Sequence, residues 1–263
     1  MPKYFHPDRR PAVITGASSG IGTETARALA SAGHPVALGA RRVEACEQVA
    51  AELRAQGAEA VALPLDVTRD ESVAEFAAKA AAELGEIEVV VSNAGKVAPG
   101  TLIEIDSDRF AGEIDVNLVG AHRIVRAFAP GMVERKRGDL VFVSSDVAVR
   151  PRPFMAAYSA SKWGLEGMVG ALQMELEGTG VRASIVRPGP TWSGMGSDWD
   201  DDEAAFVLNQ WIRFGLARHP HFLKAKAHAD AITPSSAPPA ASTCLCSTST
   251  PKLPWRTSHD THR

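Results

Sequence analysis

Three cysteines in 263 residues, Cys46, Cys244 and Cys246, are too few for a disulfide framework. Cys244 and Cys246 stand too close to read as a zinc pair without further ligands. The histidines, mostly His219, His221 and His228, form no metal-ligand motif. An excess of charge is also missing. The 28 Lys and Arg against 31 Asp and Glu leave a formal net charge of -3 and a pI near 6.2, which gives no basis for binding nucleic acid or an anionic membrane. No apolar run approaches the roughly 18 residues of a membrane span. Met1 to Arg10 carries charge and no apolar segment, so no secretory leader is expected. A cytoplasmic, reduced protein is the expectation. A Gly-x-Ser-x-Gly elbow and a Gly-Lys-Ser/Thr phosphate loop are lacking too, against a hydrolase triad and a triphosphate site.

What is present begins with Thr15-Gly16-Ala17-Ser18-Ser19-Gly20-Ile21-Gly22. Strand formers Pro11 to Ile14 precede it, and Ile21, Thr25, Ala28 and Leu29 repeat after it at helical spacing. Strand, glycine turn and helix in that order suit a dinucleotide pyrophosphate. The glycines let the chain approach the ligand, and the helix start offers free N–H groups and a positive dipole end.

Strand and helix signals alternate from residue 12 to about 190, the pattern of a parallel sheet covered on both faces. The chain is long enough for one such domain at 27.9 kDa. Strands are expected at 35–40, 60–65, 87–92, 140–143 and 181–186. Helices are expected to about Gln56, over 72–84, over 107–134 with a break near Gly112, and over 158–176. The fold class is a three-layer αβα sandwich with a Rossmann-type doubly wound parallel sheet. Asp66, Asn93, Ser145 and Pro188 all fall at strand ends, where such sheets bind ligands. A helix over 200–215, apolar at Phe206, Leu208, Trp211, Ile212 and Phe214, reads equally well as a lid or as a helix packed on the core.

With Tyr158-Ser159-Ala160-Ser161-Lys162 in view, the chain resembles the short-chain dehydrogenase/reductase superfamily, in its single-domain branch of about 250 residues. The matching pieces are the glycine turn, Asn93-Ala94-Gly95, Asn117, Ser145, Tyr158 with Lys162, and Arg187-Pro188-Gly189, in the family's order and spacing. The resemblance implies that Tyr158 is the general acid of carbonyl reduction and that Ser145 binds the substrate oxygen. Lys162 would hold the nicotinamide ribose, and Asn117 would support a water in the proton path. Lys162, one helical turn on, is expected to lower the Tyr158 pKa.

The resemblance also distributes the cofactor. Gly16, Ser18, Ser19, Gly20, Ile21 and Gly22 would cradle the pyrophosphate, Asp66 the adenine amine and Val67 its ring. Asn93, Ala94 and Gly95 would run along the cofactor, Pro188 and Gly189 would flank the nicotinamide, and Thr191 would bond its carboxamide. The second strand ends in Ala40 rather than a carboxylate, and Arg41 and Arg42 follow. A guanidinium suits a 2'-phosphate, so NADP(H) is expected over NAD(H), with Arg41 the main contact and Arg42 secondary. Asp146, Val147, Met155, Trp192, Met195 and Trp199 would line the substrate pocket, mostly apolar and suited to an apolar ketone or secondary alcohol. A small-molecule substrate and a homodimer or homotetramer complete the expectation.

The tail departs from the family. The folded domain is expected to span 1–232, and 233–263 is rich in Pro, Ser and Thr. Pro234, Pro238 and Pro239 stand where an aliphatic seventh strand would begin. Either the sheet ends one strand early or the tail is a replacement, as a late reading-frame change would produce. A cofactor-binding protein with little catalysis, or a non-redox reaction on the same tyrosine and lysine, is the alternative.

Overall fold

The computed structural model describes residues 9–193, 199–217, 222–233 and 247–248. Its parallel sheet is built from β1 (Ala12–Thr15), β2 (Val36–Ala40), β3 (Ala60–Pro64), β4 (Val89–Ser92), β5 (Gly138–Val143) and β6 (Val181–Arg187). Between them run α1 (Gly20–Ser31), α2 (Val43–Ala55), α3 (Asp70–Leu84), α4 (Ser107–Ile114), α5 (Gly120–Glu134) and α6 (Ala156–Glu175). After β6 come β7 (Thr191–Trp192), α7 (Asp201–Arg213), β8 (Leu223–Lys224), α8 (Ala225–Ile232) and β9 (Ser247–Thr248).

The sheet order is β3-β2-β1-β4-β5-β6-β9, with every pair parallel. Strands β1, β2, β4 and β5 are buried along their whole length, which is why they read as unbroken apolar runs rather than alternating ones. One face packs Leu29 of α1, Val49 and Leu53 of α2, and Ile232 of α8. The opposite face packs Phe76 of α3, Ile124 and Phe128 of α5, and Leu165 and Val169 of α6. These are the three expected layers. The order in which successive strands join the sheet reverses between β1 and β4, so ligands are expected beyond the C-terminal ends of those two strands.

One expectation is corrected here, and one of the two alternatives left open for the tail is set aside. The long helical region does not break near Gly112. It loosens over Asp115–Val119 into a π-helical turn between α4 and α5, a feature often found at functional sites. Gly120 permits this close packing, since a Cβ there would lie 2.8 Å from Val67 Cγ2. The sheet also does not stop at β6, because β9 pairs Ser247 with Val186 and Thr248 with Arg187. That edge strand has two polar residues where an aliphatic run was expected.

At the other end of the strands lies a buried ionic network. Arg10, just before β1, donates to Glu88 Oε2 (2.9 Å) and to Asp139 Oδ2 (2.5 Å). Arg182 of β6 grips the same Asp139 with two bonds of 2.6 and 3.0 Å. Four strands are thereby tied together opposite the ligand end.

Candidate active site

The glycine turn has the shape of a cradle. Gly16 is left-handed (φ +66), and a Cβ on it would lie 2.8 Å from Ala94 Cα. A Cβ on Gly22 would press into the Gly16 carbonyl oxygen and lie 2.7 Å from Asn93 Nδ2. Asn93 fixes the turn from below, its Nδ2 donating to the carbonyls of Thr15 (2.9 Å) and Gly16 (3.2 Å). Thr15 answers through Oγ1, which accepts from the backbone N–H of Asn93 and of Ala94, both at 2.9 Å. Ser19 begins α1 without a side-chain cap, so the first-turn N–H groups of Gly20, Ile21 and Gly22 have no intrahelical acceptor. Donors at a positive helix end beside bare backbone fit a pyrophosphate. Adding a Cβ inside this packing costs about 1–3 kcal/mol. Gly22→Ala is therefore expected to weaken dinucleotide binding by about tenfold or more, read by fluorescence titration, and unchanged binding would contradict the cradle.

Around the cradle, the structure redistributes some of the expected contacts. Arg42 reaches Ser18 Oγ (3.2 Å) and Ser19 Oγ (3.4 Å), while Arg41 is exposed at the head of α2 and acts on Asp66 through its charge. The geometry thus sets Arg42 against the glycine turn. A cavity of about 350 Å³ opens alongside, lined by Ser18, Ser19, Gly20 and Thr23 with Gln48 and Ala225. Asp66 Oδ1 accepts from Thr68 N (3.0 Å) and Thr68 Oγ1 (2.7 Å), and the Thr68 side chain is the largest influence holding its carboxyl below the ordinary value. Val67 packs beside it. Thr191 turns its hydroxyl to the Gly189 carbonyl (2.7 Å) and to His228 Nε2 (2.8 Å). The carboxamide contact expected of Thr191 would therefore have to share that oxygen.

The four expected catalytic residues converge. Ser145 stands two residues beyond β5, its Oγ 3.3 Å from Asp146 Oδ1, and acts on the Tyr158 phenol as a hydrogen-bonding neighbour. Lys162 Nζ lies 5.7 Å from the Tyr158 ring centre and donates to the Val143 carbonyl (2.8 Å). Asn117 sits in the π-helical turn. It accepts from Lys96 N (2.7 Å) and donates to Lys96 O and to Ser161 Oγ, both at 2.9 Å. Ser161 in turn donates to the Tyr158 carbonyl (2.7 Å). The π turn brings Asn117 against α6, and that contact locks α6 in place.

Burial pushes the Tyr158 phenol up to about 12, and the hydrogen bond from Ser145 opposes it only in part. Burial brings the Lys162 ammonium down to about 8, and the Glu166 carboxylate works against that shift. Loss of water around the phenol is the largest influence on Tyr158 here, larger than that of the neighbouring Asp146, Arg152 and Glu113 charges. A phenol held protonated beside a hydroxyl and an ammonium can hand a proton to a substrate oxygen and stabilise the charge that develops there.

The substrate side is a separate apolar cluster. Val97, Val147, Met155, Tyr158, Val207 and Trp211 are buried together, with Phe154, Trp199 and Leu208 packed on them. Helix α7 packs Val207 and Trp211 into the same buried cluster as the tyrosine. Its start is capped by Asp200, which accepts from Glu203 N at 2.6 Å. Of the expected lining, Val147, Met155 and Trp199 belong to this cluster. Asp146 borders it and pairs with Arg152. Trp192 lies in β7, and Met195 lies outside the described residues.

Sequence reasoning passed over several participants. Arg152 joins Asp146 across a loop. Glu113, one turn before Asn117, is fully buried with Oε1 accepting from Ala98 N (3.1 Å). Glu166 accepts from Ser144 Oγ and Arg187 Nε, both at 2.7 Å. Only Glu166 left a trace, its i+4 spacing from Lys162 placing it on the same helix face.

Comparison with known proteins agrees with this geometry. The family model for short chain dehydrogenases matches residues 10–204. A glycine betaine reductase from Emericella nidulans is 38% identical over 190 residues, 71% of this chain but only 15% of that much longer protein. An alcohol dehydrogenase from Thermococcus sibiricus, solved with 5-hydroxy-NADP, superposes with a TM-score of 0.74 at 35% identity. The match covers 86% of this chain and 89% of that one. A Burkholderia phymatum short chain dehydrogenase/reductase solved with NAD gives 0.76 at 27% identity, covering 86% and 85%.

Proposed function

Because the chain belongs to the short-chain dehydrogenase/reductase family of NAD(P)-dependent oxidoreductases, we propose that it reduces an apolar ketone to a secondary alcohol with NADP(H), or runs the reverse. The observation that carries this reading is the convergence on one apolar cluster of the buried Tyr158, with Lys162 Nζ 5.7 Å from its ring centre and Ser145 beside its phenol. A bound reduced nicotinamide supplies the hydride. Ser145 and Tyr158 polarise the carbonyl, and Tyr158 gives up its proton to the oxygen as charge develops. Lys162 stabilises the phenolate left behind, and Asn117 holds the α6 backbone that carries both residues. The ring of Trp211 and its neighbours keeps water from the reacting oxygen.

NADP(H) over NAD(H) rests on the missing carboxylate after Ala40 and on two arginines there, one of them already against Ser18 and Ser19. A charge-assisted bond contributes about 1.5–3 kcal/mol, so NADPH is expected to bind at least about tenfold more tightly than NADH. The double variant Arg41→Ala/Arg42→Ala should erase that preference by weakening NADPH alone. Equal affinity of the unaltered protein for both dinucleotides would refute it. The polar two-residue β9 supports one rival reading, a dinucleotide-binding protein with little turnover. Tight NADPH binding without oxidation across a broad ketone panel would favour that rival.

A further inference from the structure

Two buried donors border the substrate cluster without an acceptor. Arg152 is 9% exposed. One of its terminal nitrogens is taken by Asp146 Oδ2 (2.5 Å), and its guanidinium carbon stands 4.8 Å from the centre of the Trp211 ring. The Nε of Arg152 has no hydrogen-bond partner among the described residues, and neither has the indole Nε1 of Trp199. Trp199 packs in the same cluster as Tyr158, Met155 and Trp211. Arg152 is also close enough for its charge to act on Tyr158. Nearly all buried donors in native proteins are satisfied, so two left open beside one reactive group call for an arriving acceptor.

Resting on the reductase reading above, we propose that Arg152 and Trp199 anchor a second acceptor oxygen of the substrate, the neutral carbonyl of an ester or amide placed near the ketone. Neutrality follows from the charges. Arg152 is already balanced by the Asp146 carboxylate, and Glu113 adds a further acidic group facing Tyr158. A substrate carboxylate would enter beside these acids, at a cost that a neutral carbonyl escapes. The rest of the cluster is apolar, so the substrate is an apolar body bearing two neighbouring oxygens: one on Ser145 and Tyr158, the other on Arg152 and Trp199. Sites built to hydrogen-bond a substrate group discriminate strongly against analogues that lack it.

The test compares ethyl acetoacetate with methyl hexyl ketone, which has the same number of heavy atoms, and with the acetoacetate anion. Binding is read by calorimetry on protein carrying oxidised cofactor, where no hydride is available, and NADPH oxidation is followed separately. Ethyl acetoacetate should bind at least about tenfold more tightly than methyl hexyl ketone, against the order that hydrophobicity alone would give. The anion should bind more weakly than the ester. Trp199→Phe keeps an aromatic ring but loses the N–H together with the five-membered ring that carries it, and it should bring the preference to within about threefold. Arg152→Met should do the same, and Trp199→Phe decides the matter if that variant fails to fold. Equal or tighter binding of methyl hexyl ketone, strongest binding of the anion, no binding of either ketone, or a preference that survives both variants would overturn the proposal. A binding preference without NADPH oxidation would instead refute the reductase reading and leave this one standing.

Discussion

Replacing Tyr158 by phenylalanine is expected to slow carbonyl reduction by about a hundredfold to ten-thousandfold, while the chain stays folded and still binds NADPH. The ring is buried against Met155 and Trp211, and phenylalanine preserves that packing. Only the hydroxyl, the proton donor, is lost. The pH profile should carry a second mark of the site. Burial holds the Tyr158 phenol protonated up to about 12, so the acid is available through the whole neutral range. The Lys162 ammonium, brought down to about 8 by burial, loses its charge first as pH rises. The alkaline limb of kcat/KM should therefore follow Lys162 rather than Tyr158. Steady-state rates of the two proteins across pH check both statements, and a Tyr158→Phe variant of undiminished activity would remove Tyr158 from the chemistry.

The largest expected loss of stability lies far from that chemistry, at Asp139. Its carboxylate is 6% exposed and is held by Arg10 and Arg182 together. Asp139→Ala leaves the buried Arg10 with Glu88 as its remaining carboxylate and releases the half-exposed Arg182, and breaking a buried pair from one side costs about 3–5 kcal/mol. Urea unfolding measures it. Lys79→Ala, which removes an exposed helix pair with Glu75, should change stability by less than about 1 kcal/mol. The dependence on pH has a definite sign. Burial pushes the Asp139 carboxyl up, but the hydrogen bonds and charges of Arg182 and Arg10 outweigh it and leave its pKa below the ordinary 3.8. The stabilisation is therefore complete above that ordinary value and disappears as pH falls through the lower folded-state value. Asp139→Ala should lack this acid-dependent loss.

The strands and most helices were legible because buried parallel strands are continuous apolar runs and the covering helices repeat at their own period. Gly16, Gly22 and the pair Tyr158 and Lys162 were legible for a different reason, since turn geometry and helix spacing are local. Arg152 and Asp146 were not legible as a pair, because a loop joins them and only the folded chain shows that their charges meet over Trp211. The π-helical turn at Asp115–Val119 also left no sequence mark, as nothing in its residues distinguishes i→i+5 bonding from the ordinary helix around it. The pull of burial on the Tyr158 phenol was not legible, because a neighbouring lysine can be read from spacing whereas burial cannot. At the tail, the prolines warned of a disrupted strand, and the polar β9 pairing with Val186 and Arg187 was not foreseeable from a segment without apolar alternation.

The most direct test of the central claim follows the hydride itself. NADPH deuterated at one face of the nicotinamide, then at the other, is mixed with the protein and ethyl acetoacetate, and the alcohol is analysed by mass spectrometry. One deuterium on the carbinol carbon, from one face only and absent with Tyr158→Phe, is the predicted result. Unlabelled alcohol from both cofactors, or cofactor bound tightly and never consumed, would contradict the assignment of this site to carbonyl reduction.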